Sequence, residues 1–453
     1  MSKKCIALYL AAFVFCFSTI CNAKDSDQLK VISEKLIVTV DIFSWIKSSL
    51  QVSPDDNHVS YISRSGKKRF IVVDGKEGKQ YDGIEQSLQT FSPNSARVAY
   101  VALEGDKRFV VIDGKEEKQY DGIGKSGAVF SPDSKRLAYA ARTGNKWFAV
   151  IDGKEAKPYD GIMDSGPVFS LDSTRVAYAA LIDKIFGGKR WFVVVDGKEE
   201  KQYDSIVTSS TSFNPDRSIT TGGPVFSPDS KRLIYAAQVG KKKMFMVVDG
   251  KEEKPYDGIM NNSYIFSPDS KHVAYVAQTD DKFFVVVDGK EEKQYDIIGT
   301  GTPIFSPDSK QVAYVASIGI KYFVVVDGRE TGKQYDNIVG STLVFSQDST
   351  YVVYVVRGGN KCFIVIDGKE GKRYDDIAVG SFVFSPDGKH WAYVAQENDK
   401  QFVIVDGKEG KQYNSIITIG GGRIIFDTPH DLHYLAWKDR SHIYFIKEKI
   451  VAE

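Results

Sequence analysis

The sequence predicts an all-β protein, a β-propeller of about ten four-stranded blades, and three observations support this prediction. A V/I-D-G tripeptide recurs along the chain, with its aspartate at Asp74, Asp113, Asp152, Asp196, Asp249, Asp288, Asp327, Asp367 and Asp406. The intervals are 39 residues in five cases and 40, 44 and 53 in the others, and such a fixed period is typical of repeat architectures. Within each repeat, short apolar runs alternate with turn residues, which indicates strands and not helices.

One repeat, residues 130–162, shows how four strands fit into this period. We assign strand a to residues 129–131, strand b to 136–141, strand c to 147–151 and strand d to 154–160. Pro132-Asp133-Ser134 favours a turn between a and b, and Asp152-Gly153 favours a tight hairpin between c and d.

The composition of the strands predicts their order across a blade. Strand c is almost entirely apolar, whereas strand d is mostly charged, as in K-E-E-K-Q-Y-D at 198–204. A charged outer strand protects the edge of a sheet from pairing with another molecule. We therefore place strand a at the centre of the ring and strand d at its rim, the arrangement of propeller blades of about 40 residues.

A tenth, degenerate repeat predicts how the ring closes. It begins at Phe426 and has a b strand at 432–437 and a c strand at 442–446, but it leaves little room for a d strand. The apolar run from Leu36 to Ile42 precedes the first repeat, and we expect it to supply that strand. Two smaller rings divided near 207–223, where the longest insertion lies, are the alternative.

A phenylalanine stands four residues before the V/I-D-G aspartate in all nine repeats. These residues are Phe70, Phe109, Phe148, Phe192, Phe245, Phe284, Phe323, Phe363 and Phe402. We expect them to pack between neighbouring blades, where burial of one such ring contributes about 1.5 to 3 kcal/mol.

The run F-S-P-D-S-K-x-x-A-Y, with the V-D-G hairpin downstream, resembles the WD-like propeller repeats of the TolB type. The resemblance covers about residues 50 to 446, and it implies a propeller of the kind found in exported bacterial proteins and in relatives of prolyl oligopeptidase. That family usually has Gly after S-P-D, whereas here only Gly388 matches.

The first residues predict export. Lys3 and Lys4 precede a short apolar run that ends at Cys21-Asn22-Ala23, which is typical of a signal peptide at 1–23 and leaves residues 24–453 as the propeller. Three of the four cysteines would be removed, so Cys362 remains alone. We expect a periplasmic, extracellular or cell-surface protein with no membrane span. Lys plus Arg (60) nearly equals Asp plus Glu (59), so the chain lacks the excess of basic residues that is typical of proteins that bind nucleic acid.

Candidate binding residues come from the face that carries the b–c loops and the d–a connections, since both insertions fall there. The b–c insertion at 182–190 contains Arg190, and the insertion at 207–223 contains Phe213, Asn214 and Arg217. The residue before the constant phenylalanine varies, and four of its copies are the aromatic side chains Trp147, Trp191, Phe283 and Tyr322. Tolerated surface insertions and packing between blades explain these features equally simply.

The sequence predicts a binding scaffold and not an enzyme. It has no G-x-S-x-G elbow, and it predicts no cofactor and no metal site, because His430, His433 and His442 lack the spacing of a metal motif. We expect another protein of the cell envelope as the partner, with a glycan as a second possibility. A small-ligand propeller, an enzyme with its site at the central mouth and a purely structural surface protein are the alternatives.

Overall fold

The structure, a computed structural model, describes residues 28–451 except 87, 185–187, 208–211, 214–218, 221–222 and 241–242. It is an all-β propeller of ten antiparallel blades, which confirms the predicted fold class. One short 3-10 helix, Lys47–Ser49, occurs among the described residues, and no helix there is long and apolar enough to cross a membrane. The predicted signal peptide lies outside the described residues.

Two long strands form the middle of every blade. The b strands, in blade order, are Val59–Ser65, Val98–Glu104, Leu137–Thr143, Val176–Lys184, Leu233–Val239, Val273–Thr279, Val312–Ile318, Val352–Gly358, Trp391–Glu397 and Asp431–Trp437. The c strands are Lys68–Val73, Lys107–Ile112, Lys146–Ile151, Gly188–Val195, Lys243–Val248, Lys282–Val287, Lys321–Val326, Lys361–Ile366, Lys400–Val405 and His442–Val451. Their apolar, β-branched sequences suit strands that are covered on both faces.

The inner strand a is split into two short segments, where the sequence predicted only the second. The first segments are Gly83–Ile84, Gly122–Ile123, Gly161–Ile162, Ser205–Ile206, Gly258–Ile259, Ile297–Ile298, Asp376–Ile377 and Ser415–Ile416, with single bridges at Trp45 and Ile338 in blades 1 and 8. The second segments are Gln51–Val52, Thr90–Phe91, Val129–Phe130, Val168–Phe169, Val225–Phe226, Ile265–Phe266, Ile304–Phe305, Val344–Phe345, Val383–Phe384 and Ile425–Phe426. Both segments pair with strand b of the same blade.

The rim strand d is shorter than predicted in most blades. It comprises Lys76–Glu77, Lys115–Glu116, Lys154–Glu155, Lys198–Glu199, Lys251–Glu252, Lys290–Glu291, Arg329–Tyr335, Lys369–Glu370 and Lys408–Glu409. In blade 3 the backbone pairing with strand c is interrupted at residues 157 and 158 and resumes at a bridge between Tyr159 and Trp147. This bulge turns the tyrosine into the interface with the next blade.

The amino-terminal strand closes the ring, as predicted, although its bounds differ. Gln28–Thr39 pairs antiparallel with the c strand of blade 10, from Gln28 opposite Val451 to Thr39 opposite His442. The strand therefore begins before the apolar run that the sequence singled out. We call Gln28–Thr39 the closing strand.

The core consists of ten clusters, each shared by two consecutive blades, and one of them joins blade 10 to blade 1. The constant phenylalanines pack in these clusters, as predicted. Phe109, for example, meets Tyr81 of the preceding blade edge-to-face, with ring centroids 5.6 Å apart. Phe148 is the exception, because its side chain is only half-buried.

We expect Phe284→Ala to destabilise the protein by about 3 to 5 kcal/mol, because it empties a buried site. Phe284 is 1% exposed, and its ring lies 5.5 Å from that of Tyr256 in the preceding blade. The apparent melting temperature, followed by circular dichroism, should fall. Phe148→Ala is the matched control and should produce a clearly smaller decrease. Equal decreases in the two variants would contradict this account of interface packing.

Candidate functional site

The propeller presents two different faces. The a–b turns and the c–d hairpins share one, which we call the turn face, and in blade 3 Arg136 Nε lies 3.0 Å from Asp152 Oδ2 across it. The b–c loops and the connections from strand d to the next blade share the other, which we call the loop face. There Gly144 N donates to Asp121 Oδ2 over 2.7 Å.

The repeated residues of the turn face hold neighbouring blades together. Ser131 Oγ donates to Asp133 Oδ1 over 2.6 Å, and the amide of Asp133 donates to Ser173 Oγ of the next blade over 3.0 Å. Ser173 and Asp152 have φ of 65° and 52°, in the left-handed region that short polar residues tolerate. The near identity of this face from blade to blade therefore has a structural cause.

In most blades, the aspartate that follows the tyrosine of the rim segment accepts an amide of a b–c loop on the loop face. Asp160 accepts the amide of Asp183 over 2.8 Å and Lys146 Nζ over 2.6 Å, and both interactions lower the pKa of its carboxyl. Asp204 accepts the amide of Gly240 over 2.6 Å and pairs with Arg190. Arg190, a predicted binding residue, thus forms an ion pair within the scaffold. The aspartates cap the b–c turn of the following blade and not their own turn.

Half of the large apolar side chains that are exposed among the described residues lie on the loop face. Six of those among the described residues lie there: Ile42, Phe43, Val239, Ile297, Ile318 and Ile320. The turn face has one, Leu171. The remainder lie in or beside the closing strand or in the inner connections: Ile32, Leu36, Val451, Val379 and Ile419. Three of the six, Ile297, Ile318 and Ile320, belong to blade 7, and a group of exposed apolar side chains within a polar surface is typical of an interaction site.

The b–c loop of blade 7 is the most apolar part of this face. Ile318 and Ile320 flank Gly319, and Ile320 is 79% exposed. Asp296 accepts the Gly319 amide over 2.6 Å and also pairs with Lys282; the lysine, and then the amide, lower the pKa of this carboxyl. The two isoleucines are thus held on a fixed turn. Sequence reasoning missed them, although comparison with Thr143 and Asn145 at the same positions of blade 3 would have shown the difference.

The four predicted aromatic residues belong to four different blade interfaces. Trp147, Trp191, Phe283 and Tyr322 lie where strand c leaves the loop face, and each is half-buried against a different interface cluster. Among the ring pairs of the described residues, none joins two of these four. The guanidinium of Arg142 covers the Trp147 ring at 5.9 Å. Each of the four thus contributes to packing between blades and keeps part of its side chain exposed.

The insertion at 207–223 lies in a different place from the predicted one. It connects the two segments of the inner strand of blade 5, Ser205–Ile206 and Val225–Phe226, because the first segment already pairs with strand b. The insertion thus begins and ends at the inner strand, which lines the centre of the ring, and does not belong to the d–a connection. A small hairpin, Ser212–Phe213 with Ile219–Thr220, contains Phe213, whereas Asn214 and Arg217 lie outside the described residues.

The histidines named above lie apart. His433 is buried 2.9 Å from Asp427, His442 pairs with Asp439 at 2.7 Å, and the His430 ring lies 5.2 Å from that of His390. No group of three or more potential metal ligands occurs among the residues that the structure describes. Cys362 is buried in a blade interface, and burial raises the pKa of its thiol.

No family model and no curated protein matches the sequence. Among solved structures the fold is similar to a eukaryotic initiation factor, at 13% identity over 79% of this chain and 96% of that chain, with a TM-score of 0.44. It is also similar to TolB from Acinetobacter baumannii, at 14% identity over 62% of this chain and 82% of that chain, with a TM-score of 0.25. A third similar structure is the dihydro-heme d1 dehydrogenase NirN, at 14% identity over 71% of this chain and 74% of that chain, with a TM-score of 0.33. These similarities concern the propeller fold alone and do not establish the TolB-type family.

We expect the fold to tolerate excision of the channel hairpin, because both inner segments of blade 5 pair as they do in other blades. Replacing residues 208–222 with Asp-Ser, the pair at Asp164 and Ser165 in blade 4, restores a five-residue connection. The melting temperature should change by no more than about 2 °C. Loss of the cooperative transition in circular dichroism would show that the insertion supports the wall.

Proposed function

We propose that this protein is an exported, non-enzymatic β-propeller that binds another protein of the cell envelope through its loop face. The observation that carries the proposal is the distribution of exposed apolar side chains, six on the loop face against one on the turn face among the described residues. Grouped exposed apolar side chains, such as those of blade 7, favour a surface that a partner covers, whereas single ones need no such explanation.

The geometry of the blade 7 loop supports a protein as the partner. Ile318 and Ile320 project from a turn that Asp296 fixes, and pairs such as Lys321 with Asp336, at 2.7 Å, surround them. Apolar anchors within a charged rim are the usual anatomy of protein interfaces. A preorganised anchor also loses little conformational entropy when it binds.

Export and the absence of catalysis rest on the sequence. Residues 1–23 have the charged start, apolar run and small residue before cleavage of a signal peptide, and the repeats resemble those of exported propellers. No G-x-S-x-G motif or metal motif is present in the chain. The constant polar residues of the turn face that the structure describes serve the contacts between blades.

We expect Ile318→Thr with Ile320→Asn to abolish partner capture. These changes give blade 7 the Thr-Gly-Asn loop of blade 3, so they remove the apolar anchors and keep the turn. In crosslinking pull-downs from the native envelope, the yield of a reproducible partner should fall at least about tenfold, which corresponds to about 1.4 kcal/mol. The melting temperature should not change, because both side chains are exposed.

Leu171→Pro is the control for this experiment. Leu171 is 61% exposed on the turn face, and proline occupies the same position at Pro132 in blade 3. This variant should capture the partner as the unaltered protein does. Loss of the partner in both variants, or in neither, would contradict binding through the loop face. Binding to a glycan array that survives the blade 7 change would instead favour the half-buried aromatic residues as a glycan site.

A further inference from the structure

The interface between blades 9 and 10 contains a fully buried carboxylate, that of Glu448. The other nine blades carry the V/I-D-G aspartate at the corresponding position, for example Asp406, where strand c ends and the hairpin to strand d begins. Blade 10 has no such hairpin, because its fourth strand comes from the amino terminus. Strand c therefore continues to Val451 and carries Glu448 into the sheet, where it is 0% exposed.

Groups from three elements surround this carboxylate. Tyr434 comes from strand b of blade 10, Lys411 and Tyr413 from the rim of blade 9, and Glu34 from the closing strand. The Tyr434 hydroxyl and the Lys411 amide lie near Glu448, but neither carboxylate oxygen has a hydrogen-bond partner of standard geometry. The site is also tight, because a Cβ on Gly410 would lie 3.4 Å from Glu448 Oε1.

Glu34, on the closing strand, is in the opposite situation. Its carboxylate accepts Lys411 Nζ and the Tyr413 hydroxyl, each over 2.9 Å, and also pairs with Lys438. Partial burial raises the pKa of Glu34, but the hydrogen bonds from Lys438, Lys411 and Tyr413 outweigh it and lower the pKa to about 2. One interface thus contains one carboxyl that is stabilised in its charged form and one that is not.

The closing strand is the element that would release Glu448 to water. Val31 of this strand pairs directly with Glu448, and Leu29 approaches the same space, 3.0 Å from a Cβ built on Gly410. The backbone of this strand is hydrogen-bonded along one side only, to blade 10, and Glu34 adds side-chain hydrogen bonds to Lys411 and Tyr413 of blade 9. Its detachment therefore breaks fewer interactions than separation of two whole blades.

We propose that Glu448 makes closure of the ring sensitive to pH, so that the closing strand is held firmly while this carboxyl is protonated and detaches more readily as it ionises. Burial raises the pKa of Glu448 from 4.5 to about 7. A carboxyl whose pKa is raised in the closed state contributes stability below its ordinary pKa, and this contribution is lost as pH rises. The window for Glu448 is therefore about pH 4.5 to 7.

Glu34 has the opposite effect on the pH dependence of closing-strand attachment. Its contribution is present above about pH 4.5 and is lost as pH falls towards 2. The closing strand should therefore be most firmly attached near pH 4.5 to 5. Above that, the equilibrium constant for its opening should rise with pH, by at most about tenfold per pH unit, until it levels off near pH 7.

Hydrogen exchange of the closing-strand amides tests this proposal in the full chain. Protection factors, corrected for the intrinsic exchange rate at each pH, report the opening equilibrium of that strand. In the unaltered protein, protection should decrease from pH 4.5 to 7 and then level off. In Glu448→Gln it should stay constant over this range. Glu77→Gln, at an exposed carboxylate on the rim of blade 1, is the control and should follow the unaltered protein.

Two outcomes would overturn the proposal. One is that the protection factors of the closing-strand amides in the unaltered protein do not change between pH 4.5 and 7. The other is that they decrease equally in a folded variant that has no carboxyl at position 448. Glu448→Leu provides a second such variant of similar size, so the test does not depend on tolerance of glutamine at this site. Glu34→Gln should still show the decrease in protection above pH 4.5. It should not show the increase in protection that we expect in the unaltered protein between pH 2 and 4.5.

Discussion

The contact between a tyrosine at the rim of one blade and a phenylalanine of the next is the interaction on which the ring depends. Tyr256 meets Phe284 in this way, with centroids 5.5 Å apart, and equivalent pairs recur around the propeller. A four-stranded blade has two apolar faces and cannot bury either alone. Each blade is therefore stable only between two neighbours, and the ring must close.

Because of this constraint, one part of the surface is nearly the same in every repeat, whereas another part varies between repeats. Turn-face residues such as Asp133 and Ser173 bond across blades, so a change there would affect two blades at once. The b–c loops need only an amide for the preceding aspartate to bind, and this backbone requirement leaves their side chains free to differ. The amides of Gly144 in blade 3 and Gly319 in blade 7 satisfy it equally, although threonine precedes the first glycine and isoleucine the second. New binding surfaces therefore arise on the loop face.

The repeat period predicted the blades, their number and the closure, because a period measures spacing, which insertions alter only locally. It could not show that residues such as Gly122 and Ile123 begin the inner strand, since a two-residue segment has no periodicity. The channel position of the 207–223 insertion was missed for the same reason. The exposure of Ile320 and the burial of Glu448 depend on which neighbours surround a side chain, and composition alone contains no such information.

Closure by an amino-terminal strand explains why, among the c strands that the structure describes, that of blade 10 carries a buried carboxylate. Where a hairpin joins c to d, the aspartate leaves the sheet, and its carboxylate accepts an amide, as Asp406 does from Trp391 over 3.0 Å. Without the hairpin, Glu448 stays inside the sheet. This interface lies away from the blade 7 loop, with whole blades between them. Detachment of the closing strand and binding through the loop face therefore depend on separate contacts, and either proposal can fail without the other.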